Sequence, residues 1–205
     1  MPAKDFMLYI DKRPANPFAK PNPLKRFHQV RLFDEPAKRA LRHLDVDLDS
    51  APEEARDERI FVLPGRRDVV VKLIGETFAM RRKIKEERGM EVWEETAKAE
   101  LPLRRSVVAM VGAHIPHMRS ALSSFQNSDT LAKGLSRRAR VYDAKTTVKE
   151  VEIGEVTAYV TRQDMEDGTV ESVVFRSDNG AALEDFINAL PVETENQNIG
   201  DVLLS

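Results

Sequence analysis

Between residues 59 and 100 the chain turns back on itself at short intervals. The run 59–63 stops at Pro64-Gly65, 68–74 at Gly75-Glu76, 77–86 at Glu87-Arg88-Gly89, and 90–100 at Pro102. Short runs separated by Gly- or Pro-containing spacers are hairpin signals. Consecutive hairpins predict an antiparallel meander.

The flanks extend this pattern. Residues 27–33 (FHQVRLF) read as a strand, and Pro36 opens a helix with Ala37, Ala40, Leu41 and Leu44 at helical spacing. Residues 45–59 are acidic, contain Pro52, and read as a loop. From 103 to 135 an apolar stripe (Val107, Val108, Val111, Ile115, Met118, Leu122) is interrupted near Gly112 and Pro116, which predicts two helices split near Ala113. Strands resume at 136–143, 147–161 and 169–177, with Glu166-Asp167-Gly168 as a turn. Asp178 then caps a helix over 181–190 that Pro191 ends. The fold class is therefore α+β. A single domain spans 27–190 with a helical insertion at 103–135. Before it, residues 1–26 form a Pro-rich arm (Pro14, Pro17, Pro21, Pro23); after it, 191–205 form an acidic tail. Either end could serve a protein partner.

Composition narrows the function classes. With 205 residues, 41% hydrophobic and 32% charged, the chain fits one globular domain. It has no cysteine, which excludes disulfides, thiolate catalysis and Cys-ligated zinc and fits a cytoplasmic setting. No apolar stretch nears the ~20 residues that cross a bilayer, and 1–10 carry Lys4 and Asp5 without the apolar core of a secretory leader. The net charge of −2 hides a gradient. Residues 1–43 hold ten Lys/Arg against four Asp/Glu, and 143–205 hold four against fourteen. That argues against a general nucleic-acid binder, which is basic over a whole domain, and allows a local anion site.

Side chains alternate faces along a strand. In 77–86 one face carries Phe78, Met80, Arg82 and Ile84, and the other Ala79, Arg81, Lys83 and Lys85. Lys72 shares its face with Val70 and Ile74. Glu94, Thr96 and Lys98 oppose Glu91, Trp93 and Glu95, and Trp93 reads as core. Arg138 and Arg140 share a face, as do Glu150 and Glu152. In a half-buried sheet these polar sides face water. In a closed barrel with polar faces inward, the cations would surround a polyanion and the carboxylates would hold a hard divalent cation.

The order of these segments resembles the CYTH superfamily, the triphosphate tunnel enzymes. The likeness rests on a strand and helix at 27–44, a basic strand (Arg81, Lys83, Lys85), and Glu94-Glu95-Thr96-Ala97-Lys98 as an E-x-T-x-K strand. A helical insertion follows, then Arg138-Ala139-Arg140, then Glu150-Val151-Glu152, and a last strand and helix at 170–190. The resemblance implies an eight-stranded antiparallel barrel forming a tunnel. It implies phosphate contacts from Lys72, Arg81, Lys83, Lys85, Lys98, Arg138 and Arg140, and Mg²⁺ or Mn²⁺ on Glu94, Glu150 and Glu152. The family's E-x-E-x-K first strand is replaced by Phe27-His28-Gln29-Val30-Arg31, so two of its usual metal ligands are missing. Two functions follow. One is a module that binds a triphosphate, a polyphosphate or a nucleotide without turnover. The other is a divalent-metal-dependent triphosphate phosphohydrolase.

Other chemistry finds less support. His114 and His117 are the closest histidine pair, but Pro116 lies between them and places them at a helix boundary. No nucleophile elbow, phosphate loop or dinucleotide fingerprint occurs. At 6% aromatics, few rings interleave with the basic clusters, which weakens a base-stacking reader of single strands.

Overall fold

A computed structural model describes residues 25–44, 46–116, 119, 127–192 and 202–203. Nearly all of the Pro-rich arm, most of the acidic tail, and His117 lie outside the described residues. The elements run β1 (Arg26–Phe33), α1 (Asp34–His43), β2 (Glu53–Val62), β3 (Val69–Ile74), β4 (Thr77–Glu87) and β5 (Met90–Glu100). Then come α2 (Arg105–His114), α3 (Ser128–Leu135), β6 (Arg140–Ile153), β7 (Val156–Met165), β8 (Gly168–Ser177) and α4 (Gly180–Asn188).

The eight strands close into an antiparallel barrel in the order β1-β5-β4-β3-β2-β6-β7-β8, and β8 returns to β1. Hairpins supply most of the pairings. Closure needs the long-range ones. β1 fits between β5 and β8, and β2 pairs with β6 from Glu53↔Lys149 to Val62↔Arg140.

Four expectations need correction here. The acidic stretch at 45–59 is not all loop, because β2 begins at Glu53. Its carboxylates are accommodated by cations on the partner strand: Lys149 lies 3.7 Å from Glu53, and Lys145 stands opposite Asp57. The segments 136–143 and 147–161 are not separate strands. β6 runs unbroken to Ile153, and the reversal falls at Gly154, whose φ of +61° suits a tight turn. Arg138 therefore sits in the turn after α3 rather than in a strand with Arg140. The last helix is capped by Asn179 instead of Asp178; its side chain accepts from the amides of Ala181 and Ala182.

The core lies outside the barrel wall. Val69, Val71, Leu73, Phe78 and Met80 point outward and pack beneath Val108 and Val111 of α2 and Leu131 and Leu135 of α3. On the opposite side Val30, Leu32, Val173 and Phe175 pack beneath Ala37 and Ala40 of α1 and Leu183 and Ile187 of α4. Burying each large side chain of this kind is worth roughly 1.5–3 kcal/mol. Helices thus cover the apolar faces. Period-two alternation then obliges the other faces, which carry the ionic residues, to point into the lumen.

One end of that lumen is apolar. Phe33, Ile60 and Val62 cluster there with Val70, Tyr142 and Val170, and Val202 and Leu203 of the tail pack against them. The Tyr142 hydroxyl donates to the Leu203 carbonyl at 2.7 Å. The other end is ionic.

Candidate functional site: an ionic cavity inside the barrel

The lumen holds a cavity of about 80 Å³. One water needs ~10–15 Å³ by this measure, so there is room for several waters or a polar group of comparable size. Five neighbouring strands line it: β1 with Gln29 and Arg31, β2 with Arg56 and Glu58, β3 with Lys72, β4 with Arg81, and β5 with Glu91 and Trp93. Val70, Ile74 and Ala79 complete the wall.

The carboxylates are held by cations. Glu58, whose side chain is 0% exposed, accepts from Arg56 Nε at 2.8 Å and Lys72 Nζ at 2.7 Å. Gln163 Nε2 approaches the same Oε2 at 3.3 Å. Burial pushes the Glu58 carboxyl up, but Lys72 and Arg56 more than offset this and hold it below its ordinary value. Glu91 accepts from Lys83 Nζ at 3.1 Å, Trp93 Nε1 at 2.8 Å and Gln29 Nε2 at 3.2 Å.

Three arginines are not held in this way. Among the described residues, Arg31, Arg81 and Arg176 have no carboxylate oxygen within ion-pair distance. Arg31 donates to Ser172 Oγ at 3.2 Å. Arg176 lies 4.4 Å from the Phe27 ring centroid and 4.8 Å from that of Tyr159, and its Nε reaches Gln29 Oε1 at 3.5 Å. Arg81 lies 5.5 Å from the Phe27 centroid. Burial pushes all three guanidiniums below their ordinary value. Arg81 adds repulsion at both Arg31 and Arg176. A guanidinium keeps its proton at neutral pH, so this environment costs stability instead of removing charge. Lys72 responds differently. Burial, with repulsion from Arg31 and Arg81 and attraction from Glu58, brings it down to about 8.

Six cations (Arg31, Arg56, Lys72, Arg81, Lys83, Arg176) therefore converge; Glu58 and Glu91 pair with Arg56, Lys72 and Lys83, Glu54 and Glu86 add partners to Arg56 and Lys83 from the exposed side, Glu95 acts on Arg81, and Glu150 acts on Tyr159 beside Arg176. The charges left without a carboxylate at ion-pair distance among the described residues are Arg31, Arg81 and Arg176, and burial disfavours all three. Buried charges are normally paired, and the groups that match a guanidinium fork are phosphate or carboxylate oxygens.

The sequence-predicted residues divide. Lys72 and Arg81 line the cavity, and Lys83 reaches Glu91 from the rim. Lys85 is exposed and paired with Glu87. Lys98, Arg138 and Arg140 are exposed and do not line the cavity. Glu94, Glu150 and Glu152 are not brought together. Glu94 lies on the outer face, buried against Arg26 Nε at 3.0 Å and Arg82 Nη2 at 3.4 Å. Glu150 and Glu152 are exposed near the Gly154 turn. Trp93, expected in a core, faces the cavity.

Gln29, Arg31, Arg56, Glu58, Glu91 and Arg176 belong to the site although the sequence pattern does not mark them as site residues. Two of them carry a faint signal: Gln29 and Arg31 stand at the third and fifth positions of the Phe27-x-Gln29-x-Arg31 strand.

No family model matches the chain, and no curated protein matches it. Solved structures similar to it include a Bacillus halodurans protein described as a "putative adenylate cyclase" (TM-score 0.49, 10% identity, 87% of this chain and 96% of that one). Another is a Pyrococcus furiosus protein described as a conserved hypothetical protein (TM-score 0.45, 13% identity, 85% and 98%). A third is a chain of the Schizosaccharomyces pombe Mediator head module (TM-score 0.39, 9% identity, 79% and 89%). At these levels the barrel assignment rests on the strand pairing itself. No described helix is long and apolar enough to cross a membrane.

Proposed function

We propose that this protein is a CYTH-like barrel that binds a phosphorylated polyanion of the triphosphate, polyphosphate or nucleotide class in its lumen, without turning it over. The supporting observation is the set of three enclosed arginines, Arg31, Arg81 and Arg176, without carboxylate partners among the described residues. They stand on three strands (β1, β4 and β8) and so face an anion from several sides, as a chain of phosphates needs. Turnover needs a group to activate water. Glu58 and Glu91 are poorly suited, because each is already engaged by cations and Glu58 is held below its ordinary pKa.

Tripolyphosphate is expected to raise the melting temperature at pH 7 by a saturable amount, with no release of orthophosphate. Lys72 sets the pH dependence. Its folded pKa of about 8 lies below its ordinary 10.5. Its charge therefore disfavours the ligand-free fold below pH 8, and that penalty fades as pH rises from 8 toward 10.5. Ligand binding runs the other way, because the anion needs the charged amine. The shift caused by tripolyphosphate shrinks as pH rises through 8 to 9. A shift that is unchanged across that window removes Lys72 from the site, and orthophosphate release removes the binding-only reading.

A further inference from the structure

We infer that the lumen takes its polyanion as the free anion, without a divalent metal. This rests on the proposed function and deepens it. Metal-bridged phosphate binding needs carboxylate oxygens open to a hard cation. Glu58 and Glu91 do not offer them, and Glu95 stands as a single carboxylate beside the Arg81 guanidinium. Glu58 and Glu91 each already accept three hydrogen bonds, of roughly four that a carboxylate can take. Five of those six come from Arg56, Lys72, Lys83, Gln29 and Trp93, which also line or rim the cavity. Among the described residues no group of three or more His, Asp or Glu is placed to hold a metal.

The charge balance points the same way. A divalent cation entering here meets three buried guanidiniums, Arg31, Arg81 and Arg176, that have no carboxylate at ion-pair distance among the described residues. The first strand adds to this: Phe27 and Gln29 face the lumen beside Arg31, and neither is ionised. Instead of ligating a metal, Phe27 carries the guanidiniums of Arg81 and Arg176 against its ring. Arginines thus stand where metal-linked charge neutralisation would otherwise be needed. Mg²⁺ in solution then competes with the protein, because it lowers the charge of the anion that the arginines attract.

Isothermal titration of the full chain with tripolyphosphate, in EDTA and again in excess MgCl₂, tests this. The expected result is binding in EDTA at least as tight as in Mg²⁺, with several-fold weakening as Mg²⁺ is raised. Binding that appears only with Mg²⁺, or tightens tenfold or more with it, overturns the metal-free inference and leaves the polyanion site standing. Absence of binding under both conditions overturns both. A titration with MnCl₂ alone gives a second readout. The emission of Trp93, which lines the cavity, is expected to stay unchanged, and quenching that saturates at a one-to-one ratio counts against the inference.

Discussion

Arg31→Met is expected to weaken tripolyphosphate binding by ten- to a hundredfold while leaving the ligand-free protein as stable as the parent or more so. The first half follows from losing a charge-assisted contact, worth about 1.5–3 kcal/mol. The second follows from what Arg31 lacks. Its described hydrogen bond goes to a serine hydroxyl, and burial, with repulsion from Arg81, outweighs the attraction of Glu91 and Glu58 and disfavours its charge. Replacing buried ionic groups with apolar ones of similar volume is often neutral, or stabilising by roughly 1–4 kcal/mol. Opposite movement of affinity and stability marks a residue kept for a ligand. Urea unfolding and a binding titration on the same preparation separate the two effects. If Arg31→Met unfolds more easily and binds normally, the arginine is a structural element of the wall and the ligand site lies elsewhere.

Glu58→Gln is expected to do the reverse. Glu58 holds Arg56 and Lys72 in the lumen, and the amide keeps the shape while removing the charge that balances them. Breaking a buried ion pair at one partner costs about 3–5 kcal/mol. A loss near 3 kcal/mol is expected in urea unfolding at pH 7. Because the folded pKa of Glu58 lies below its ordinary 4.5, its contribution is present above that pH and lost as pH falls through the folded value. The parent therefore loses this stability in acid, whereas the variant has none of it to lose. The variant also has one negative charge fewer in the lumen, so tripolyphosphate should restore more stability to it than it adds to the parent. A variant as stable as the parent shows that the ion triad contributes little.

The alternation along 77–86 makes Arg81 legible as a residue of a basic face, whereas Lys72 shares its face with Val70 and Ile74 and enters the site through the resemblance. The choice between solvent and lumen for that face was not local. It depends on β1 bonding to both β5 and β8, a closure between residues some 60 to 150 positions apart. β2 was hidden for the same reason. Acidic residues at 53–58 read as loop until Lys145 and Lys149 of β6 are set beside them. On β5 alternation separates Glu91, Trp93 and Glu95 from Glu94, but a register shift at Thr96 ends it there, so that Lys98 stands opposite Ala79 of the cavity wall and not on the Glu94 face. The metal role nonetheless went to Glu94, on the face that turns outward against Arg26 and Arg82. Arg31 and Arg176 stood in plain view inside apolar strands. A lone arginine in such a strand carries a signal only once the apolar residues either side of it are known to pack outward beneath helices.

The central claim is that anion enters the lumen, and Trp93 reports on it directly. It is the chain's single tryptophan, it lines the cavity, and its indole nitrogen donates to Glu91. Titrating the protein with tripolyphosphate at pH 7 should change the Trp93 emission saturably, at the same midpoint as the calorimetric isotherm, and Arg31→Met should move that midpoint to at least tenfold higher concentration. An emission that stays flat while heat of binding is recorded, or a midpoint indifferent to Arg31, places the anion outside the barrel and contradicts the account.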